Sequence, residues 1–282
     1  MTQLWCNGQW LTSLEFPSSP TDRGALHGLG LFETLLVLDG APVFLDRHLA
    51  RLQQACGRLG WPQSLPDFYE TAVELLARNG LTSGRAKIRL SITAGSGTIH
   101  DLTPGDDRLV WLTALPAAEP PASLTACLSP WPRSECSPLA GLKCASYAEN
   151  LIALDHARRL GFDEAIFMNT VGHLCEAATA NLFVVIDGKL FTPPLAAGCL
   201  PGITREVVIE IATELKIPCE ERNLAPAELP LAEEIFLTSS LRGVVRLSRF
   251  GDHRYPTGRT TQVLRHSLEA AMLNDVVSRK SK

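Results

Sequence analysis

The sequence lacks the features of several protein classes. No apolar run approaches the length that crosses a membrane, and the first ten residues, MTQLWCNGQW, carry no charged-then-apolar signal for secretion. The eight cysteines form no Cys-x-x-Cys pair and lie mostly in apolar surroundings, so we expect reduced thiols in a cytoplasmic protein. The formal net charge of -4, without a basic stripe, argues against nucleic acid as the main partner.

Motifs of several enzyme classes are also missing. There is no Walker loop, no Gly-x-Ser-x-Gly elbow, and no Gly-x-Gly-x-x-Gly that opens a helix. The seven histidines show no ligand spacing, so we expect no metal site. The run GLGLFE leads into a strand, which makes it a weak candidate for a dinucleotide-binding loop.

The composition is that of an ordinary globular protein. The chain has 282 residues, of which 45% are hydrophobic and 20% charged, enough for two layered domains with a core each. The segment PAAEPPAS, residues 116–123, is the best linker candidate because its prolines discourage both helices and strand pairing. We therefore expect a small N-terminal domain over residues 1–115 and a larger domain over residues 124–282.

The first half predicts a mixed α+β domain. Asn7-Gly8 and Asp39-Gly40 are hairpin turn signals, and the latter follows an apolar strand over residues 31–38. Asp46 can cap a helix that ends at Gly60. A second helix over residues 67–78 and the strand-like runs AKIRLSITAG and RLVWLTAL complete this half.

The most informative stretch runs from residue 141 to residue 205. Ser146 and Glu149 have the spacing of a capping box, which predicts a helix that begins at Ser146 and places Ala148, Ile152 and Ala157 inward. Lys143 lies on the extended approach to this helix, where a long amine can point into a cleft.

Two further features of this stretch suggest a binding site. Glu176 stands alone among small and apolar neighbours, and the segment PGITREVVIEIA predicts a helix whose first amides, at Ile203 and Thr204, can receive an anion. Together with Lys143 they suggest a phosphorylated cofactor with a cationic ring. The plainer interpretations are a solvated surface lysine, a buried hydrogen-bonded carboxylate and an ordinary helix start. Arg51 likewise has the plain interpretation of an exposed helix arginine.

The order of these blocks resembles one family. DRGALHGLGLFET, HLARL, LKCASYAENLIAL, GHLCEAATANLF, LPGITR and LTSSLRGV follow one another as in the fold-type IV pyridoxal-phosphate enzymes, the class IV aminotransferases. These include branched-chain and D-amino-acid aminotransferases and 4-amino-4-deoxychorismate lyase. The resemblance implies an α+β fold, with a smaller N-terminal α+β domain, a larger C-terminal β-rich α/β domain and a cleft between them. It also implies pyridoxal 5'-phosphate as cofactor and a homodimer whose subunits share active sites.

The resemblance also implies roles for single residues. Lys143 corresponds to the Schiff-base lysine, Glu176 to the partner of the pyridine nitrogen, and Tyr147 to a residue near the ring hydroxyl. The residues that correspond to the phosphate ligands are Arg51, Ile203, Thr204, Ser239 and Ser240.

The substrate is less clear from the resemblance. Arg89 and Arg242 are candidates for binding a substrate carboxylate, with exposed arginines as the plain alternative, and the other substrate-binding candidates are Phe32, Thr34 and Leu241. Thr34 resembles the threonine of the lyase, where branched-chain enzymes usually have glycine. In contrast, Ile99 stands where some lyases carry an arginine. His27 and Lys87 stand where branched-chain enzymes tend to have tyrosines.

These comparisons favour a transaminase with a preference for D-amino acids and a 2-oxo acid acceptor such as 2-oxoglutarate or pyruvate. The lyase is the nearest alternative, and the branched-chain aminotransferase is a further one. A binding protein that keeps the fold without turnover would be expected to have lost Lys143 or Glu176, and both are present.

Overall fold

A computed structural model describes residues 2–280, which divide into two compact units. The first unit comprises residues 2–119, 142–147 and 272–280, and the second comprises residues 120–141 and 148–271. Within residues 2–280, no helix is both long enough and apolar enough to cross a membrane. The eight cysteines are all free thiols.

The first unit contains an antiparallel six-stranded sheet in the order β2-β1-β6-β5-β3-β4. Both predicted hairpin turns are confirmed, because Asn7, Gly8, Asp39 and Gly40 all have the positive φ that such two-residue turns require. The strands are β1 (Gln3–Cys6), β2 (Gln9–Thr12), β3 (Gly30–Leu38), β4 (Ala41–Pro42), β5 (Arg85–Thr93) and β6 (Val110–Pro116).

The helices that begin in this unit are α1 (Arg23–His27), α2 (Leu45–Arg58) and α3 (Tyr69–Arg78). Helices α2 and α3 pack on one face of the sheet. Leu31 and Leu35 of β3 point towards Leu52 of α2 and Leu75 of α3, so the alternation of the strand puts Phe32 and Thr34 on the opposite face. The prediction that Asp46 caps α2 is wrong. Phe44 occupies the N-cap position in a left-handed conformation, with φ of 53°, and Asp46 lies in the first turn.

A short segment of the chain far from β3 in sequence extends the sheet beside it. The amide of Phe32 donates to the Lys143 carbonyl over 2.9 Å, the amide of Ala145 donates to the Gly30 carbonyl over 2.8 Å, and Leu31 pairs with Cys144. The first unit thus includes a segment that follows residues 116–123, the linker predicted from the sequence.

The second unit contains a nine-stranded sheet in the order β12-β11-β10-β13-β14-β7-β8-β9, with β15 paired to β14. The strands are β7 (Leu124–Leu128), β8 (Glu164–Met168), β9 (Leu174–Ala177), β10 (Asn181–Ile186), β11 (Lys189–Thr192), β12 (Cys219–Glu221), β13 (Glu234–Ser239), β14 (Gly243–Phe250) and β15 (His253–Arg254). The helices that begin in this unit are α4 (Ala148–Arg159), α5 (Ile203–Glu214) and α6 (Arg259–Lys280).

Helix α4 differs from its prediction at its start and on its buried face. It begins at Ala148 instead of Ser146, whose hydroxyl donates to the Gly28 carbonyl over 3.1 Å and is not a helix cap. Ala157 is buried as predicted. The inward placement of Ala148 and Ile152 is wrong, because both are exposed and the helix buries Ala153 and Leu154 instead.

Candidate active site

Lys143 lies against aromatic rings of the first unit. Its pairing with Phe32 places both side chains on the sheet face that the helices α2 and α3 do not cover. The Nζ atom is 4.6 Å from the centre of the Phe32 ring and 6.0 Å from the centre of the Tyr147 ring. The two rings contact each other edge to face. They therefore surround the amine with apolar surface, which is the setting that a reactive lysine needs.

Arg89 reaches the same ring from the neighbouring strand. It pairs with Thr34 across β3 and β5, its guanidinium carbon lies 3.8 Å from the centre of the Phe32 ring, and its Nε donates to the Ser91 hydroxyl over 3.2 Å. Burial lowers the pKa of Arg89. The structure thus brings together five predicted residues on one sheet face: Phe32, Thr34, Arg89, Lys143 and Tyr147.

A cavity of about 250 Å³ opens beside this group, within the first unit. Its walls include Phe32, Trp111, Leu109 and Thr93, and Arg89 supplies its cationic side chain. A mostly apolar cavity with one guanidinium suits a substrate side chain that is apolar or ends in a carboxylate.

Arg51 is held by a buried cluster on the other side of β3. Its Nε and Nη2 donate to the two oxygens of Glu33 over 2.8 Å and 2.6 Å, and Nδ1 of His48 lies 2.7 Å from the same carboxylate. The plain interpretation of Arg51 as an exposed helix arginine is wrong, because only 9% of it is accessible.

The charges in this cluster follow from its geometry. Burial opposes ionisation of Glu33, but the Arg51 charge and the His48 hydrogen bond outweigh it and lower the pKa of Glu33 to about 2. Burial lowers the pKa of His48, so the imidazole is neutral and donates its Nδ1 proton to Glu33. Glu33 therefore holds one edge of the Arg51 guanidinium, which orients the rest of the planar group.

Glu176 lies on β9 in the second unit and is nearly buried. Its Oε1 accepts from Nη1 of Arg133 over 2.5 Å, and its Oε2 accepts from the Leu200 amide over 3.0 Å and from Nδ2 of Asn181 over 3.4 Å. The carboxylate is therefore held in one orientation by donors from three separate segments of this unit.

The start of α5 is tied to the same carboxylate. Asn181 also donates to the Leu200 carbonyl over 2.8 Å, and a Cβ at Gly202 would lie 2.0 Å from its Oδ1, so only glycine fits at this N-cap. No side chain caps α5, and Ile203 and Thr204 are buried in its first turn. The uncapped amides of a helix start attract an anion such as a phosphate.

The turn between β13 and β14 holds the remaining predicted residues. Ser239, Ser240, Leu241 and Arg242 are all partly buried there. Nη2 of Arg242 donates to Glu164 over 3.1 Å and to the Thr179 hydroxyl over 2.5 Å, and its Nε lies 3.4 Å from the Ser239 hydroxyl. Since Glu164 is fully buried, this geometry favours a role for Arg242 in holding the turn.

Sequence reasoning missed the residues that orient the predicted ones. Glu33 and His48 lie inside the FET and HLARL blocks, and Asn181 lies five positions after Glu176, so these blocks contained a signal. Arg133 is 43 positions from Glu176 and carries no local signal.

The donors and acceptors fit pyridoxal 5'-phosphate. In the first unit, Lys143 offers an amine against aromatic rings. In the second unit, Glu176 offers an oriented carboxylate and Ile203 begins a helix without a side-chain cap. Within residues 2–280, Nη2 of Arg133 is buried beside this carboxylate without a hydrogen-bond partner, as expected of a site built for a further acceptor.

Known proteins resemble the chain over most of its length. The family model of class IV amino-transferases matches residues 30–250. The branched-chain-amino-acid aminotransferase of Salmonella typhimurium is 31% identical over 252 residues, covering 84% of this chain and 81% of the relative. The aminodeoxychorismate lyase of Bacillus subtilis is 27% identical over 271 residues, covering 93% and 92%. The crystal structure of the branched-chain aminotransferase from Thermoproteus uzoniensis with norvaline matches with a TM-score of 0.88 and 25% identity, covering 97% and 95%.

These matches confirm the family, the mixed α+β fold and the cofactor that the order of the sequence blocks implied. Two conclusions follow for the chain as a whole. The chain belongs to the class IV aminotransferases, and it is a pyridoxal-phosphate-dependent enzyme.

Proposed function

We propose that this enzyme moves an amino group between an amino acid and a 2-oxo acid such as 2-oxoglutarate or pyruvate. The observation that carries the proposal is the position of the Lys143 amine, against the rings of Phe32 and Tyr147 and on the same sheet face as Arg89. A lysine in that setting can exchange protons while a neighbouring cation binds the substrate carboxylate.

The chemistry divides between the cofactor and the chain. When bound, pyridoxal 5'-phosphate supplies an aldehyde that reacts with amines and a ring that withdraws electrons. Lys143 would hold the aldehyde and would move the α-proton of the substrate. The rings of Phe32 and Tyr147 would shield its amine from water, and Tyr147 would face the ring hydroxyl of the cofactor.

The remaining residues bind and orient the cofactor. Glu176 would accept a hydrogen bond from the protonated ring nitrogen and keep it protonated, because a nearby carboxylate favours the charged form of its partner. A guanidinium, a helix start and hydroxyl groups would bind the phosphate, namely Arg51, Ile203, Thr204, Ser239 and Ser240.

The cavity beside Phe32 supports a substrate class. Its apolar walls suit an aliphatic side chain, and the Arg89 guanidinium could donate hydrogen bonds to the second carboxylate of glutamate or 2-oxoglutarate. The names of the Salmonella and Thermoproteus relatives favour a branched-chain amino acid as the donor. The preference for D-amino acids stays a prediction, as do the homodimer with shared active sites and the cytoplasmic location.

Aminodeoxychorismate lyase activity is the second candidate. The Bacillus subtilis lyase matches nearly the full length of the chain. In the resemblance to the family, Thr34 corresponds to the threonine of the lyase. In this reaction the same lysine would move the proton, and pyruvate would be eliminated to leave 4-aminobenzoate.

Three substrate mixtures distinguish these activities. D-alanine with 2-oxoglutarate should give pyruvate and D-glutamate if the D-specific prediction holds, and L-leucine with 2-oxoglutarate should give L-glutamate if a branched-chain donor is used. Release of 4-aminobenzoate from aminodeoxychorismate, without turnover in the other two mixtures, would replace transamination by the lyase activity. An independent check tests the covalent link between Lys143 and the cofactor. The purified protein should absorb near the violet edge of the visible spectrum, and borohydride should bleach this absorbance.

A further inference from the structure

Arg133 is positioned by the backbone directly beside Glu176. Its amide donates to the Met168 carbonyl over 2.8 Å, and the residue forms a parallel bridge with Asn169 just beyond β8. Only 12% of the side chain is accessible. Its Nη1 donates to Oε1 of Glu176 over 2.5 Å, so a nearly buried cation and a buried carboxylate are in direct contact.

The other contacts of Arg133 hold its guanidinium in place without competing for hydrogen bonds. The guanidinium carbon lies 4.1 Å from the centre of the Phe167 ring, and Nε is 3.6 Å from a carboxylate oxygen of Glu149. Among the residues that the structure describes, Nε and Nη2 make no hydrogen bond although both are buried. Of the guanidinium nitrogens of Arg133, Nη1 is therefore the one whose hydrogen bond is directed at a partner, and that partner is Glu176.

The two oxygens of Glu176 have different partners. Oε1 accepts from Arg133, whereas Oε2 accepts from the Leu200 amide and from Asn181, which lie close to the start of α5. A carboxylate held at both ends cannot rotate about its last bond, so its remaining lone pairs point in fixed directions.

We propose that Arg133 is a positioning residue that holds the Glu176 carboxylate, charged and in one orientation, for the ring nitrogen of the cofactor. The inference rests on the proposed role of Glu176. An arginine suits this position because its guanidinium stays protonated and its planar donors keep their direction, whereas a lysine supplies a freely rotating point charge. A residue that only filled space above Phe167 would not affect recognition of the ring nitrogen.

The test compares two cofactors on the apoenzyme. One is pyridoxal 5'-phosphate, and the other is its 1-deaza analogue, in which a C–H replaces the ring nitrogen. The ratio of the two dissociation constants measures recognition of that nitrogen, while contributions of the phosphate and of Lys143 cancel. We expect the wild type to prefer pyridoxal 5'-phosphate by about tenfold or more, as for a charge-assisted hydrogen bond of about 1.5 kcal/mol or more.

Substitution of the arginine should reduce this preference. R133M keeps an apolar stem above Phe167, and its ratio of the two dissociation constants should be at least fivefold smaller than that of the wild type. R133K keeps the charge and should lose less than R133M. R158M, which changes an exposed arginine on α4, should keep the wild-type ratio.

The outcomes separate this inference from the proposed function. A wild-type ratio in both R133M and R133K would overturn the positioning role, and so would an increased preference in either variant. E176Q should abolish the preference, and a preference that survives E176Q would instead overturn the proposed role of Glu176. If R133M does not fold, R133K decides alone, because a ratio equal to the wild type's would contradict the proposal.

Discussion

The Nζ atom of Lys143 and the guanidinium carbon of Arg89 lie against the same ring, at 4.6 Å and 3.8 Å from the centre of Phe32. One aromatic side chain thus connects the amine that would react and the cation that would bind the substrate. Since Phe32 is buried in a regular strand, both groups are attached to a rigid part of the sheet. Each of the two side chains can therefore be replaced while the strand that carries Phe32 stays unchanged, so the predictions for Lys143 and Arg89 can be tested separately.

Replacement of Lys143 by alanine should abolish turnover and leave the fold intact. The loss should be about a thousandfold or more, because the side chain both binds the aldehyde and moves the proton. Turnover is followed by release of the 2-oxo acid, and folding by thermal unfolding. K189A, at an exposed lysine of β11, is the matched control. Turnover retained in K143A would contradict the assigned role.

Replacement of Arg89 by methionine should impair acidic substrates selectively. We expect the KM for 2-oxoglutarate to rise about tenfold or more, as for the loss of a charge-assisted hydrogen bond of about 1.5–3 kcal/mol. Pyruvate lacks the second carboxylate, so its KM should change by less than about twofold. A change of that size corresponds to the roughly 0.5 kcal/mol that a substitution without a specific contact usually causes.

Arg85 provides the control for this experiment. It lies on the same strand and face as Arg89 and pairs with Glu119 at 3.4 Å, away from the cavity. R85M should leave both KM values unchanged. An equal rise of both KM values in R89M would show that Arg89 acts on the common part of the substrates instead of the side-chain carboxylate.

Replacement of Arg242 by alanine should destabilise the protein more than it changes substrate choice. Its removal leaves Glu164 buried without its cation, and breaking such a pair costs about 3 kcal/mol. In contrast, R265A breaks an exposed pair with Glu269 on α6 and should cost about 0.5 kcal/mol or less. Urea unfolding measures both values. If R242A is as stable as R265A and binds substrates more weakly, Arg242 binds the substrate carboxylate instead.

The His48 cluster should make stability depend on pH. Burial lowers the pKa of His48 below its usual 6.5, so the unfolded chain takes up a proton first as the pH falls. The free energy of unfolding should therefore decline below about pH 6.5, by up to about 1.4 kcal/mol per pH unit for one proton. Glu33, whose pKa is lowered from 4.5 to about 2, adds its own decline only as the pH approaches 4.5, where the carboxyl of the unfolded chain takes up a proton and that of the folded chain does not.

A glutamine variant isolates this contribution. H48Q should show a smaller decline in the free energy of unfolding between pH 7 and pH 5 than the wild type. H266Q, at an exposed histidine of α6, should keep the wild-type slope. Identical slopes in the wild type and H48Q would show that His48 binds its proton equally well in the folded and unfolded chains.

The sequence by itself determined two hairpin turns, the start of α5 and the family. The Asn7-Gly8 and Asp39-Gly40 turns form as predicted because positive φ is a property of those residues and needs no distant partner. The start of α5 at Ile203 is likewise marked by the preceding glycine. The order of the blocks was enough to identify the family, and the roles that it implies for Lys143 and Glu176 stay predictions.

Only the tertiary structure decided how these residues are held. Pairing with β3 carries Lys143 into the first unit, and the same pairing engages Ser146 at Gly28, so the predicted capping box does not form. Arg133 meets Glu176 across 43 positions, and no local pattern can express a contact between a residue outside the named strands and a residue of β9 that folding brings beside it. The physical reason is range: turns and helix starts are governed by dihedral preferences of adjacent residues, whereas the orientation of a buried charge depends on partners that folding brings together.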